Sequence, residues 1–272
     1  MTLPQYTEQG TGDIAVFLLH GVGGGQQAWA QTLPALARHG YRAIAWDAPG
    51  YGGSPLVEPF TTRELASALH QLIAKVGAKM GAKMGAKGGA QRNVVLGHSM
   101  GGMIAQEVFA LEPSNIHGLI LFATSPAFGK PGGDWQQQFL QSRFGPLDAG
   151  AGMAGLAPGL VSGMFAPGAS TADMAAAVRT MSGVPEDTYR AALSAIVSFN
   201  RLDNLANIDV PTLCLACELD KNAAPLVMEK MAARIAGAEY ACLPGVGHLG
   251  NMEQPDAFNA AVLKFLSQHF PT

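Results

Sequence analysis

Asn93-Val94-Val95-Leu96-Gly97-His98-Ser99-Met100-Gly101-Gly102 is the stretch that decides the fold: a β-branched run ends at a serine that has glycine two residues away on each side. Val94-Val95-Leu96 reads as a buried strand, and Met103 to Leu111 as a helix of good formers closed by Pro113. A serine on such a strand-to-helix turn, a nucleophile elbow, needs small neighbours, because a side chain at either flanking position would collide with nearby backbone. The turn lifts Ser99 clear of the sheet, and the free N–H groups of the following helix face any negative charge that develops there. In a chain with 34 glycines the bare pattern could arise by chance, so its weight comes from the strand before it and the helix after it.

Outward from the elbow, short apolar runs alternate with helical stretches. Strands are expected at 14–19, 41–46, 93–97, 118–123, 212–217 and 239–243, and helices at 28–38, 61–76, 100–111, 226–235 and 255–269. Near-continuous apolar strands separated by helices imply an α/β fold, a mostly parallel sheet covered on both faces. Two segments break the rhythm. From Ser125 to about Leu205 no convincing strand occurs, and this Ala-, Gly- and Met-rich stretch reads as a lid over the site, with Met153, Met164, Met174 and Met181 on its apolar underside. The division expected is a core of 1–125 and 206–272 with a helical lid of 126–205. The second break, the repeated Gly-Ala-Lys-Met tetrapeptide at 77–90, reads as a solvated loop.

Composition narrows the partners. With 17 Lys and Arg against 20 Asp and Glu, the net charge of −3 offers no basic surplus for nucleic acid. Although 48% of residues are hydrophobic, no run approaches the ~18 apolar residues a membrane span requires. The first residues lack the charged and apolar regions of a signal peptide, so a cytoplasmic location is expected. Cys214 and Cys217 form a C-x-x-C, but they lie in an expected strand whose residues three apart face opposite sides, which favours burial over metal or redox chemistry.

A serine hydroxyl needs a base to take its proton and an acid to orient that base, and in elbow enzymes these follow in the order Ser, Asp or Glu, His. His248, in Leu243-Pro244-Gly245-Val246-Gly247-His248-Leu249, is the histidine that lies both downstream of Ser99 and on a strand-to-helix loop. His98 reads as support beneath the turn. The acid should follow the 212–217 strand, where Glu218 and Asp220 compete; Asp220 is favoured because its shorter side chain lies further into the loop. Backbone N–H groups of Met100 and of Val22, in His20-Gly21-Val22-Gly23-Gly24-Gly25, would form the oxyanion hole. The same glycines lack the lysine of a P-loop and the helix opening of a dinucleotide site.

Over nearly its whole length the chain resembles the α/β-hydrolase family. The landmarks, in family order, are His20-Gly21-Val22-Gly23, Asp47-Ala48-Pro49-Gly50-Tyr51-Gly52-Gly53-Ser54, the elbow, the Asp220 loop and Gly247-His248. The resemblance implies an eight-stranded sheet with a helical lid after the sixth strand, strengthens Asp220, and casts His20 and Asp47 as loop-shaping residues. A serine at 99 argues against dehalogenases and epoxide hydrolases, which place Asp there. The segment Gly247-His248-Leu249-Gly250-Asn251-Met252-Glu253-Gln254-Pro255 looks like that of small esterases and enol-lactonases. The expectation is a serine carboxylic ester hydrolase or lactonase acting through an acyl-enzyme on a small molecule, with no metal or organic cofactor. Two alternatives stand beside it: a C–C bond hydrolase of aromatic meta-cleavage products, disfavoured by Leu249 where those enzymes usually carry Trp, and a slow-turnover ligand receptor.

Overall fold

Ile14–Leu19 (β2), Gly118–Phe122 (β5) and Thr212–Cys217 (β6) are buried at every position, as strands are when helices cover both faces of their sheet. The computed structural model describes residues 3–84, 92–129 and 133–272. With Tyr6–Gln9 (β1), Arg42–Trp46 (β3), Arg92–His98 (β4) and Glu239–Leu243 (β7), these strands form one sheet in the order β1-β3-β2-β4-β5-β6-β7. All neighbours are parallel except β1, which runs antiparallel to β3 along the edge.

Side-chain alternation splits the core in two. Val16 and Leu18 join Trp29, Leu36, Phe258 and Phe265 on one face, while Phe17 and Leu19 join Leu65, Ile104, Val108 and Met228 on the other. Thr32–Arg38 (α1) and Pro255–His269 (α10) cover the first face; Thr62–Met84 (α2), Met100–Leu111 (α3) and Pro225–Ala232 (α8) cover the second. Cys214 and Cys217 fall on opposite faces, both buried and free.

Between β5 and β6 run four helices: Asp134–Asp148 (α4), Gly152–Ser162 (α5), Thr171–Ser182 (α6) and Glu186–Val197 (α7). The two ends of this excursion meet, with Phe128 N–H donating to Phe199 O at 3.1 Å and Arg201 N–H to Pro126 O at 2.7 Å. Arg201 then clamps Glu107 of α3 through two bonds of 2.7 and 2.6 Å. A short helix, Gly250–Glu253 (α9), precedes α10.

Several expectations need correction. Among the described residues the sheet has seven strands rather than eight, and the helices follow the fifth strand rather than the sixth, because the chain ahead of β2 supplies a single edge strand. That strand, with the polar sequence Tyr-Thr-Glu-Gln, carries no apolar run to announce it. The expected 28–38 helix is a 3-10 turn at Gln26–Trp29 followed by α1, since Pro34 is tolerated only in a helix's first turn. Helix α2 continues through the tetrapeptide to Met84, where a loop was expected; Ala, Lys and Met are strong formers that outweigh about 1 kcal/mol for each glycine. The rest of the repeat, 85–90, lies outside the described residues.

Candidate active site

Ser99 adopts φ 53°, ψ −116°, a conformation that non-glycine residues rarely take. The turn is held by close backbone approach: a Cβ on Gly97 would enter the Gly101 carbonyl, and one on Gly101 the Leu19 carbonyl. Ser99 N–H donates to Phe122 O at 3.0 Å, and its carbonyl accepts from the Thr124 hydroxyl at 2.7 Å. Strain at the serine is therefore over-determined by the strands and helix around it.

Ser99 and His248 line one cavity of about 550 Å³, with Asp220 behind the histidine. His248 Nδ1 lies 2.7 Å from Asp220 Oδ2, and both residues are buried, at 4% and 5% exposure. The second carboxylate oxygen, Oδ1, accepts N–H bonds from Asn222 at 2.7 Å and Ala223 at 3.1 Å. Burial alone would raise the Asp220 pKa, but the charge and hydrogen bond of His248 and these two N–H groups bring it below the usual carboxylate value. Glu218, the competing acid, instead accepts the Gly245 N–H at 2.7 Å and braces the loop that carries His248.

Beneath the elbow, His98 donates from Nε2 to the carbonyl of His248 at 2.9 Å, and the two rings lie 4.6 Å apart. Burial, then the neighbouring His248, push its pKa down to about 3, so the ring is neutral and acts as a fixed donor. His20 works similarly across two loops: Nδ1 bonds the Gly21 carbonyl at 2.8 Å and Nε2 accepts the Ala48 N–H at 3.0 Å. Asp47 accepts both the backbone and side-chain N–H groups of Gln26, at 2.8 and 2.7 Å. Val22 and Met100 reach the cavity beside Ser99. Met100 opens α3, where an N–H has no intrahelical carbonyl to bond, and no partner for the Val22 N–H occurs among the described residues.

Three contributors escaped the sequence reading. Glu253 accepts N–H bonds from Gly247 and from Ala166, both at 2.9 Å, tying the His248 loop to the helical excursion, while His248 N–H donates to Met164 O at 2.7 Å. Thr124 anchors the Ser99 carbonyl, and Arg143 of α4 reaches the cavity wall. The bonds between Glu253 and Ala166 and between Thr124 and Ser99 join segments distant in sequence, and the place of Arg143 on the cavity wall is set by the fold, so none has a local signature. Of the four methionines, Met164 and Met181 line the cavity, whereas Met153 is buried in the core and Met174 packs against it. Among the described residues no three His, Cys, Asp or Glu side chains gather to hold a metal ion, and no helix is long and apolar enough to cross a membrane.

The sequence pattern of the Alpha/beta hydrolase family matches residues 16–261. A protein described as a non-heme bromoperoxidase, BpoC, from Mycobacterium tuberculosis is 28% identical over 96% of this chain and 97% of its own. A pimeloyl-(acyl-carrier protein) methyl ester esterase of Nitrosospira multiformis is 27% identical over 91% of this chain and 92% of its own. A solved thermophilic esterase from Thermogutta terrifontis shares the fold, with TM-score 0.84 and 24% identity over 97% of this chain and 93% of its own.

Proposed function

The chain belongs to the Alpha/beta hydrolase family, and from that premise we propose that it is a serine hydrolase cleaving small carboxylic esters or lactones through an acyl-enzyme. Ser99 attacks the carbonyl, His248 takes its proton and passes it to the leaving alcohol, and Asp220 holds the imidazole in the required tautomer. The N–H groups of Val22 and Met100 receive the oxyanion, and water then releases the acid by the same route. The core of 1–125 and 206–272 carries these groups, and 126–205 serves as the lid that shapes the pocket.

The observation that carries this reading is the buried 2.7 Å His248–Asp220 contact in a cavity that also holds a serine at positive φ. The methyl ester esterase relative is consistent with ester substrates. Hydrolysis of p-nitrophenyl esters of rising chain length, run beside lactones, tests the reading. Ser99→Ala should lower kcat by about 10⁴-fold or more. Full activity in that variant would overturn the assignment, and release of one equivalent of p-nitrophenol, with the acyl group retained on the enzyme and no turnover, would favour a receptor.

A further inference from the structure

Arg143 on α4 and Lys221 on the loop after β6 both line the cavity, and no Asp or Glu does so among the described residues. Arg143 is half-buried, with its guanidinium carbon 5.1 Å from the centre of the Phe139 ring. Its one hydrogen bond among the described residues is from Nη1 to the hydroxyl of its neighbour Ser142, at 3.1 Å. Of the other arginines that are at least half-buried, Arg42 meets Glu8, Arg190 meets Asp148 and Glu186, and Arg201 meets Glu107, while Arg92, remote from the cavity, donates to the Pro271 carbonyl and lies over the Phe270 ring. What sets Arg143 apart is its place: a half-buried guanidinium on the wall of the Ser99 cavity, with no carboxylate partner among the described residues, has N–H groups available to an anion inside that cavity.

The wall beside it is aromatic. Phe128, Trp135 and Phe139 line the same cavity with ring centres 4.9 to 5.9 Å apart, and Trp135 is 55% exposed. Such a surface accepts a body without charge, while the guanidinium at its end asks for a planar anion it can hold through two parallel N–H bonds. Lys221 lies exposed at the rim, directly after Asp220, and enters no ion pair among the described residues.

We infer that the cavity selects esters whose apolar body carries a carboxylate remote from the scissile carbonyl, held by Arg143 and assisted by Lys221. This substrate class rests on the serine hydrolase reading of Ser99.

The test compares kcat/KM within two matched pairs. Mono-p-nitrophenyl adipate against p-nitrophenyl hexanoate places the charge on the acyl side, and 4-acetoxybenzoate against 4-tolyl acetate places it on the leaving side. The anionic member of at least one pair should be favoured roughly tenfold or more. Arg143→Ala should bring that ratio close to one, Arg143→Lys should keep part of it, and added salt should shrink it. Arg234→Ala, an exposed charge outside the cavity lining, should leave it in place.

Turnover of the neutral esters with no preference in either pair, or a preference that survives Arg143→Ala, overturns the inference and leaves the serine hydrolase reading standing. Absence of all Ser99-dependent turnover overturns that reading. Calorimetric binding of monomethyl adipate against methyl hexanoate to the Ser99→Ala variant then still reads the anion site: equal affinities sink it, and tighter binding of the adipate that Arg143→Ala abolishes supports it.

Discussion

At the ends of the strands, Gly97 and Gly101 leave no room for a methyl group, whereas in the helical wall Gly159 has nothing within 4 Å of where its Cβ would sit. The same residue type does opposite work on the two sides of one cavity. Around Ser99, glycine lets backbone touch backbone, and the polar atoms of Asp220 and His20 and the Nε2 of His98 have named partners. Helices α4 and α5 each carry a proline inside the helix, Pro146 and Pro158, and methionine and aromatic side chains line the cavity on this side. Groups that must hold reacting atoms need over-determined positions, while a wall that shapes a pocket can vary without disturbing them.

The sharpest way to break this contrast is Asp220→Asn, which should lower kcat by about 10⁴-fold, read in steady-state ester hydrolysis, because the imidazole loses the partner that sets its tautomer. A drop of only a few-fold would mean the strand-end loops are less specified than their hydrogen bonds imply. Next comes Gly101→Ala, expected to cost about 3 kcal/mol by forcing the Leu19 carbonyl aside. Urea denaturation measures it, and an unchanged midpoint would show that the elbow yields.

Glu253→Gln probes the seam between the two regions. Weakening its two backbone bonds should cost roughly 1–2 kcal/mol. A merely local effect would leave the pH profile of kcat/KM unmoved, so a shifted limb for the His248 step is the expected signature.

The pH dependence of stability comes next. Burial, then the neighbouring His248, holds the His98 pKa down at about 3 in the folded chain against 6.5 for a free imidazole, and His20 is also lowered by burial. Between those values the unfolded chain binds protons that the folded chain refuses, so stability is full above about pH 6.5 and falls as pH drops toward 3. Each such histidine adds a slope of at most about 1.4 kcal/mol per pH unit. Urea melts between about pH 7 and pH 5 should show it, and His98→Asn should flatten it. Asp220, lowered when folded, adds loss in the same direction once pH falls below the ordinary carboxylate range. The smallest effect is on the helical wall: Gly159→Ala should stabilise by about 0.4–1 kcal/mol, and a loss instead would mean α5 is as tightly specified as the elbow.

How much of this was legible beforehand follows the same divide. The strands around the elbow could be read because parallel strands buried on both faces must be apolar throughout, and the landmark order pointed to Ser99, Asp220 and His248, which the fold brings to one cavity and its margin. β1 was missed because an edge strand can be polar, and the reach of α2 because its glycines look like a loop until neighbouring helix formers are weighed. Two of the four methionines assigned to the pocket, Met153 on α5 and Met174 on α6, lie outside its lining, since apolar residues spread around short Ala- and Gly-rich helices do not announce which side faces the cavity.

Sterics between near neighbours dictate the strand runs and the glycine spacing around Ser99, and such short-range constraints are written directly in residue order. Which carboxylate reaches His248, that His98 braces a carbonyl 150 residues away, and that Arg143 joins an aromatic cavity wall depend on segments that meet only when the sheet and its helices assemble. Their partners are set by distance in space, which residue order alone does not encode.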